Sequence, residues 1–93
     1  WKGNEITSWP STQAVSNYAG DLGAQLEVPA TAIKVEQDHI GGGFGSKFQS
    51  DQWGAFCARL SKDAGGRPVK FFLDRNAELM IAGNRPSHYA KIT

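Results

Sequence analysis

Four of the five residues from Gly41 to Gly45 are glycine, and the exception is Phe44. Glycine loses more conformational freedom on folding than any other residue, so such a run is costly unless the backbone must pass close to something or take up a positive φ. The run follows an alternating segment and precedes a helical one. The chain must therefore make a glycine-lined passage from strand to helix. Successive N–H groups in such a passage can form a concavity for anionic oxygens. A tight turn with no ligand is the competing reading.

The flanking segments fix the fold class. Ile33 to Ile40 alternates, with Ile33, Val35, Gln37 and His39 on one face and Lys34, Glu36 and Asp38 on the other, the pattern of a strand with one buried face. Downstream, Trp53, Phe56, Cys57, Leu60 and Ala64 fall on one helical stripe that begins near Ser50 or Asp51 and stops at Gly65-Gly66. Upstream, Val15, Tyr18, Ala19, Leu22 and Leu26 form a similar stripe, which Ser11 or Thr12 can cap and Pro29 stops. Gly20 and Gly23 weaken that helix by about 1 kcal/mol each relative to alanine, and leave room for another element to approach. Asn4 to Trp9 reads as a strand ended by Pro10. Val69 to Asp74 reads as the strongest strand, with Val69, Phe71 and Leu73 on one face. Ala77, Met80 and Ile81 mark a short helical turn that Gly83 and Asn84 break, and Ser87 to Thr93 alternates again, with His88, Ala90 and Ile92 together. The order β-α-β-α-β-(α)-β predicts an α/β (α+β) two-layer sandwich with a mixed sheet, residues 1–93 forming one domain.

Composition narrows the function classes. Net charge is +1 with the two signs interleaved, so no basic stripe suits nucleic acid. Apolar runs are short, which predicts no membrane span. Cys57 is the single cysteine, so no internal disulfide forms; on an apolar helix face it reads as core. No Cys/His set has zinc-site spacing. The chain opens on Trp1 rather than Met and both ends lie in strand-like segments, so both read as cuts or as the limits of an ordered region.

Nucleotide loops are the first chemical candidates. A P-loop needs Gly-Lys-Ser/Thr at its end, but here Ser46 precedes Lys47 and Phe48 follows. A dinucleotide fingerprint fits in part: Gly41 and Gly43 match its first two glycines, Ser46 occupies the third position, and Asp74 lies beyond the usual distance of roughly 20 residues for the ribose-binding acid.

A longer ordered set is more specific. It comprises Ser11-Thr12-Gln13, then Gly41-Gly42-Gly43-Phe44-Gly45-Ser46-Lys47, then Gly66-Arg67-Pro68-Val69-Lys70, and Leu73-Asp74-Arg75 with Glu78, Met80, Gly83 and Arg85. This set resembles the molybdopterin-binding large subunit of the xanthine dehydrogenase, aldehyde oxidase and carbon monoxide dehydrogenase family, over essentially the whole chain. The resemblance implies that the chain is part of a larger molybdenum-cofactor-binding subunit, which oxidises aldehydes or N-heterocycles with water-derived oxygen. Iron-sulfur clusters and possible FAD would sit on other domains or subunits.

The resemblance also assigns roles. Gln13 would point its amide at an oxo ligand of the molybdenum, a neutral donor suited to that task. The N–H of Gly45 would donate to a metal-bound oxygen, and Gly41, Gly42 and Gly43 would line the pterin, where a Cβ would hold the cofactor away. Gln13 and Phe44 would thus lie beside the metal without ligating it, since dithiolene sulfurs hold it. Phe44 and Phe48 would wall the substrate pocket. Taken residue by residue, Gln13 could instead solvate a helix end and Phe44 could be core. Lys47 reads as solvent-exposed or ion-paired, and His39 as a strand residue. Purine-oxidising members carry a glutamate where Phe48 stands, so an aldehyde or aromatic N-heterocycle is the expected substrate. The family's general-base glutamate belongs to a later part of the subunit, so no catalytic residue is expected here. The expected location is cytoplasmic, with the periplasm as the alternative. A dinucleotide-binding module and a non-catalytic interaction domain remain the other readings of the loop.

Overall fold

The computed structural model describes residues 1–83 and 89–93. Strand β1 (Ile6–Ser8) leads through helix α1 (Val15–Leu26) and a 3-10 turn (Ala30–Ala32) to strand β2 (Ile33–Val35). A long passage then reaches helix α2 (Asp51–Asp63), and helix α3 (Arg75–Ile81) follows. β1 and β2 pair in parallel, Ile6 opposite Ile33 and Ser8 opposite Val35. The helix between them supplies the crossover that parallel strands require.

The α/β character and the early β-α-β order hold, but the sheet is smaller than the alternation predicts. Among the described residues it has two strands. β2 ends at Val35 rather than Ile40, for a reason on its partner strand. The Glu36 N–H still donates to the Ser8 carbonyl at 2.9 Å. The next donor on that strand would come from position 10, where proline has no N–H. Val69 to Asp74 is not a strand either. It has no ladder partner among the described residues, and its apolar face packs instead on α2, Phe71 stacking on Trp53 at 5.7 Å and meeting Phe56 edge-on at 5.9 Å. Residues 89–93 carry no strand; Asn84, Arg85, Ser87 and His88 lie outside the described residues.

The core forms where the two halves of the β-α-β unit meet α2. Ile6, Tyr18, Leu22, Ile33 and Ala55 make one buried cluster, with Leu22 nearly sealed. The predicted α1 stripe is the buried one at Tyr18 and Leu22, and Gly23 lets the Val28–Ile33 segment pass close by. α1 stops before Pro29, at Glu27 in the left-handed region (φ 58°). The α2 stripe does not behave as its spacing predicts. The helix buries Ala55, Ala58 and Ser61 and leaves Phe56 and Leu60 largely exposed. Small residues let α2 lie close to α1: a Cβ on Gly54 would stand 2.7 Å from the Tyr18 hydroxyl. Burial pushes the pKa of that hydroxyl up, against the lowering effect of its hydrogen bond with Ser8. Gly65-Gly66 ends α2 as expected, the Gly66 N–H closing back on Ser61 O at 2.8 Å. Asp74 caps α3 through its carboxylate, which accepts from the Ala77 N–H at 2.8 Å.

Candidate functional site

The glycine run lies against the start of the helix that precedes it, not the one that follows. The joint is built from Thr12 and Gln13. Thr12 is buried, and its hydroxyl donates to Lys47 O at 3.0 Å while accepting from the Ala14 N–H at 3.1 Å. The Gln13 N–H donates to the same Lys47 carbonyl at 2.7 Å. Gln37 holds this pair from the sheet side. Its Oε1 accepts from the Thr12 N–H at 2.8 Å, and its Nε2 donates to Thr12 O at 2.9 Å. A side-chain amide thus makes the two bonds that a strand backbone would have made, just past the point where Pro10 ends the ladder.

Within the run, residues 43–46 form a reverse turn. The Ser46 N–H and hydroxyl both donate to Gly43 O, at 2.9 and 2.7 Å. Phe44 and Gly45 at its centre have φ of 50° and 87°, as a type I′ turn requires. Glycine accepts that conformation freely, whereas phenylalanine is strained in it by about 1–3 kcal/mol, and such strain persists only where the surroundings enforce it. The Phe44 ring folds toward Gly42 and is 80% exposed, so it is not a core aromatic. Phe48 is also exposed, its ring nearest Gly45.

The side chain of Gln13 ties this turn down. Its Oε1 accepts from the Gly45 N–H at 3.0 Å and, more weakly, from the Lys47 N–H at 3.4 Å. Two backbone donors on one amide atom identify that atom as oxygen, so Nε2 faces away from the turn. Among the described residues Nε2 has no hydrogen-bond partner, and neither do the N–H groups of Gly41, Gly42 and Gly43. The structure therefore brings Gln13 and all of Gly41 to Gly45 together, with unsatisfied donors of one kind. The Gly45 N–H, which the resemblance gives to a metal oxygen, is donated here to Gln13.

Other singled-out residues fall elsewhere. Among the described residues Lys47 has no ion-pair partner; its ammonium donates to the Ser11 hydroxyl at 3.1 Å. His39 is exposed beyond the end of β2. Cys57 is half-buried on α2, and burial pushes its thiol pKa up. Asp74 is engaged as a helix cap. The passage from Gly45 to α2 is several residues long, unlike a dinucleotide loop, which opens the following helix directly. Two open depressions, of about 310 and 370 Å³, border α1 and α2 away from the glycine run. Among the described residues no group of three or more His, Cys, Asp or Glu is placed to hold a metal ion, and no helix is long and apolar enough to cross a membrane. Thr12 and Gln37 were not singled out as site residues from sequence. A glutamine on the buried face of a strand was the available signal, because a buried amide must find partners.

Comparison with known proteins points to one family. The family model for the molybdopterin cofactor-binding domain matches residues 1–93. The chain is 34% identical over 89 residues to xanthine dehydrogenase 2 of Arabidopsis thaliana, covering 96% of the chain and 7% of that protein. It is 35% identical over 91 residues to the probable aldehyde oxidase gad-3 of Caenorhabditis elegans, covering 97% of the chain and 7% of that protein. It is 32% identical over 87 residues to the xanthine dehydrogenase/oxidase of Felis catus, covering 94% and 6%. The chain thus spans a small fraction of the length of these relatives. No solved structure matches it.

Proposed function

Because this chain belongs to the molybdopterin cofactor-binding domain family, we propose that it forms one wall of the cofactor site in the large subunit of a molybdenum hydroxylase. The observation that carries this reading is the Gln13 amide laid across the glycine run, its Nε2 turned outward beside the N–H groups of Gly41 to Gly43, which have no partner among the described residues. The residues fit an electron-rich group. The donors are neutral, and among the described residues none of them has a hydrogen-bond partner.

When bound, the cofactor supplies a two-electron oxidation that inserts a water-derived oxygen at an electron-poor carbon. Gln13 Nε2 would hold the metal side of the cofactor without adding charge, and the glycine N–H groups would hold its pterin side. Gly45 contributes through Gln13, whose oxygen it fixes. Phe44 and Phe48, both exposed in this chain, form the apolar wall that excludes water from the substrate. Phe48 favours aldehydes or aromatic N-heterocycles over xanthine, because it offers no carboxylate to a purine. The relatives named xanthine dehydrogenase and aldehyde oxidase match about equally well and do not decide between these substrates. The catalytic base lies elsewhere in the subunit, and the electron carriers, iron-sulfur clusters with or without FAD, sit on other domains or subunits. The exposed apolar side chains of α2 and of the segment after it meet the remainder of the subunit. The location is cytoplasmic.

The test is the molybdenum content of the full-length gene product, purified from a host that makes the cofactor. About one molybdenum per large subunit is expected, with oxidation of aldehydes or N-heterocycles. A well-folded preparation without molybdenum would overturn the reading.

A further inference from the structure

Gly43 is buried, and unlike Gly42 and Gly45 it has no positive φ, so left-handed strain does not require glycine there. What first stands in the way of a side chain is Gln13. A Cβ on Gly43 would fall 2.5 Å from Gln13 Cγ and against Cδ and Oε1, and these three are the nearest atoms it would meet. Real Cβ atoms do not approach so closely. The amide plane of Gln13 therefore lies flat in the slot left by the absent side chain.

We propose that Gly43 is a positioning residue for Gln13. Its missing side chain lets the Gln13 oxygen reach the N–H groups of Gly45 and Lys47, which in turn fixes Nε2 as the outward donor and locks the Phe44–Gly45 turn. The inference deepens the cofactor-wall reading and rests on it for the use of Nε2; the slot itself rests on geometry. It reassigns one glycine of the run. Gly43 is required by a neighbouring side chain, whereas Gly41, whose Cβ would meet no atom within 4 Å, is free to face a ligand. An amide pinned at its oxygen cannot rotate to present that oxygen outward. The site then selects a hydrogen-bond acceptor at this position.

A double-mutant cycle on the full-length protein separates this from a role for Gly43 in touching the cofactor. Gly43→Ala, Gln13→Ala and the double variant are compared first without cofactor, by hydrogen exchange over residues 43–48. Each single change should speed exchange of the Gly45 and Lys47 amides about fivefold, the loss of a typical hydrogen bond. The double variant should match Gln13→Ala, since the obstacle to a Cβ has gone. Unchanged exchange in Gly43→Ala, or a further rise when it is added to Gln13→Ala, overturns the proposal. If Gly43→Ala does not fold, Gln13→Ala and the double variant still decide: a double variant that fails where Gln13→Ala folds overturns it. In the loaded protein, the paramagnetic-resonance signature of the metal should shift alike in both single variants and no further in the double. A Gly43→Ala signature equal to wild type also overturns the proposal. Wild-type protein without metal refutes the cofactor reading, while the exchange data still judge the slot.

Discussion

Thr12 carries more of the site's architecture than its size suggests. Its one hydroxyl joins the start of α1 to the far end of the glycine run, donating to Lys47 O and satisfying the Ala14 N–H, and it is almost fully buried. Replacing it by valine keeps the shape but leaves the Ala14 N–H without its partner and Lys47 O with the Gln13 N–H alone. That should cost about 1–2 kcal/mol, within the range for a group left without its partner. Thr12→Ser, which retains both bonds, should cost well under half as much. Urea unfolding at unchanged slope is the measurement; equal losses for valine and serine would mean that the hydroxyl is not what joins the two segments. Gln13 and the glycine run were legible in the sequence as a set, through the family resemblance. That they bond to each other was not, because residues 13 and 45 are brought together only by the β-α-β crossover. Thr12 was legible as a cap near the helix start, but its second bond, to Lys47, depends on the same crossover.

The elements show a similar division. Helix ends were readable from local chemistry: Gly65-Gly66 stops α2 and Asp74 starts α3. Strand pairing was not, because a strand is defined by its partner. Val69 to Asp74 has the alternation and lacks the ladder. The buried face of α2 is hidden from the sequence for a different reason. Its large apolar residues form the stripe that spacing picks out, whereas the core side is the small one, where Gly54, Ala55 and Ala58 admit α1. This gives opposite signs for one substitution at two helical glycines. Gly20 has open space around its Cβ position, so Gly20→Ala should stabilise by about 1 kcal/mol through helix propensity alone. Gly54→Ala gains the same propensity but drives a methyl against the buried Tyr18 hydroxyl, an overpacking cost of about 1–3 kcal/mol. The net should be a loss of about 1 kcal/mol. Thermal unfolding of the two variants decides it, and shifts of the same sign in both would refute the account of how α2 packs.

At the scale of the whole chain, the radius of gyration is 15.4 Å, with extents of 60 × 27 × 25 Å. A compact domain of this length would have a radius of about 12 Å. The excess comes from a division of labour along the sequence. Among the described residues every buried one lies at or before Ser61. Beyond α2 the chain keeps its apolar residues outside: Phe72, Leu79, Met80, Ile81, Tyr89 and Ile92 are each more than half exposed. Burial of such side chains is the main favourable term in folding, and these contribute little of it here. Removing residues 75–93 should therefore lower the unfolding free energy of the chain by no more than about 1 kcal/mol, the scale of surface changes. It should also reduce binding of an apolar dye. Urea unfolding and dye fluorescence of 1–74 beside 1–93 test the two in turn. A loss several times larger would mean that the C-terminal segment closes onto the core in solution. A small loss would leave its apolar surface available for the rest of a longer subunit, beside the turn of the glycine run, which Gly83 touches at Ser46.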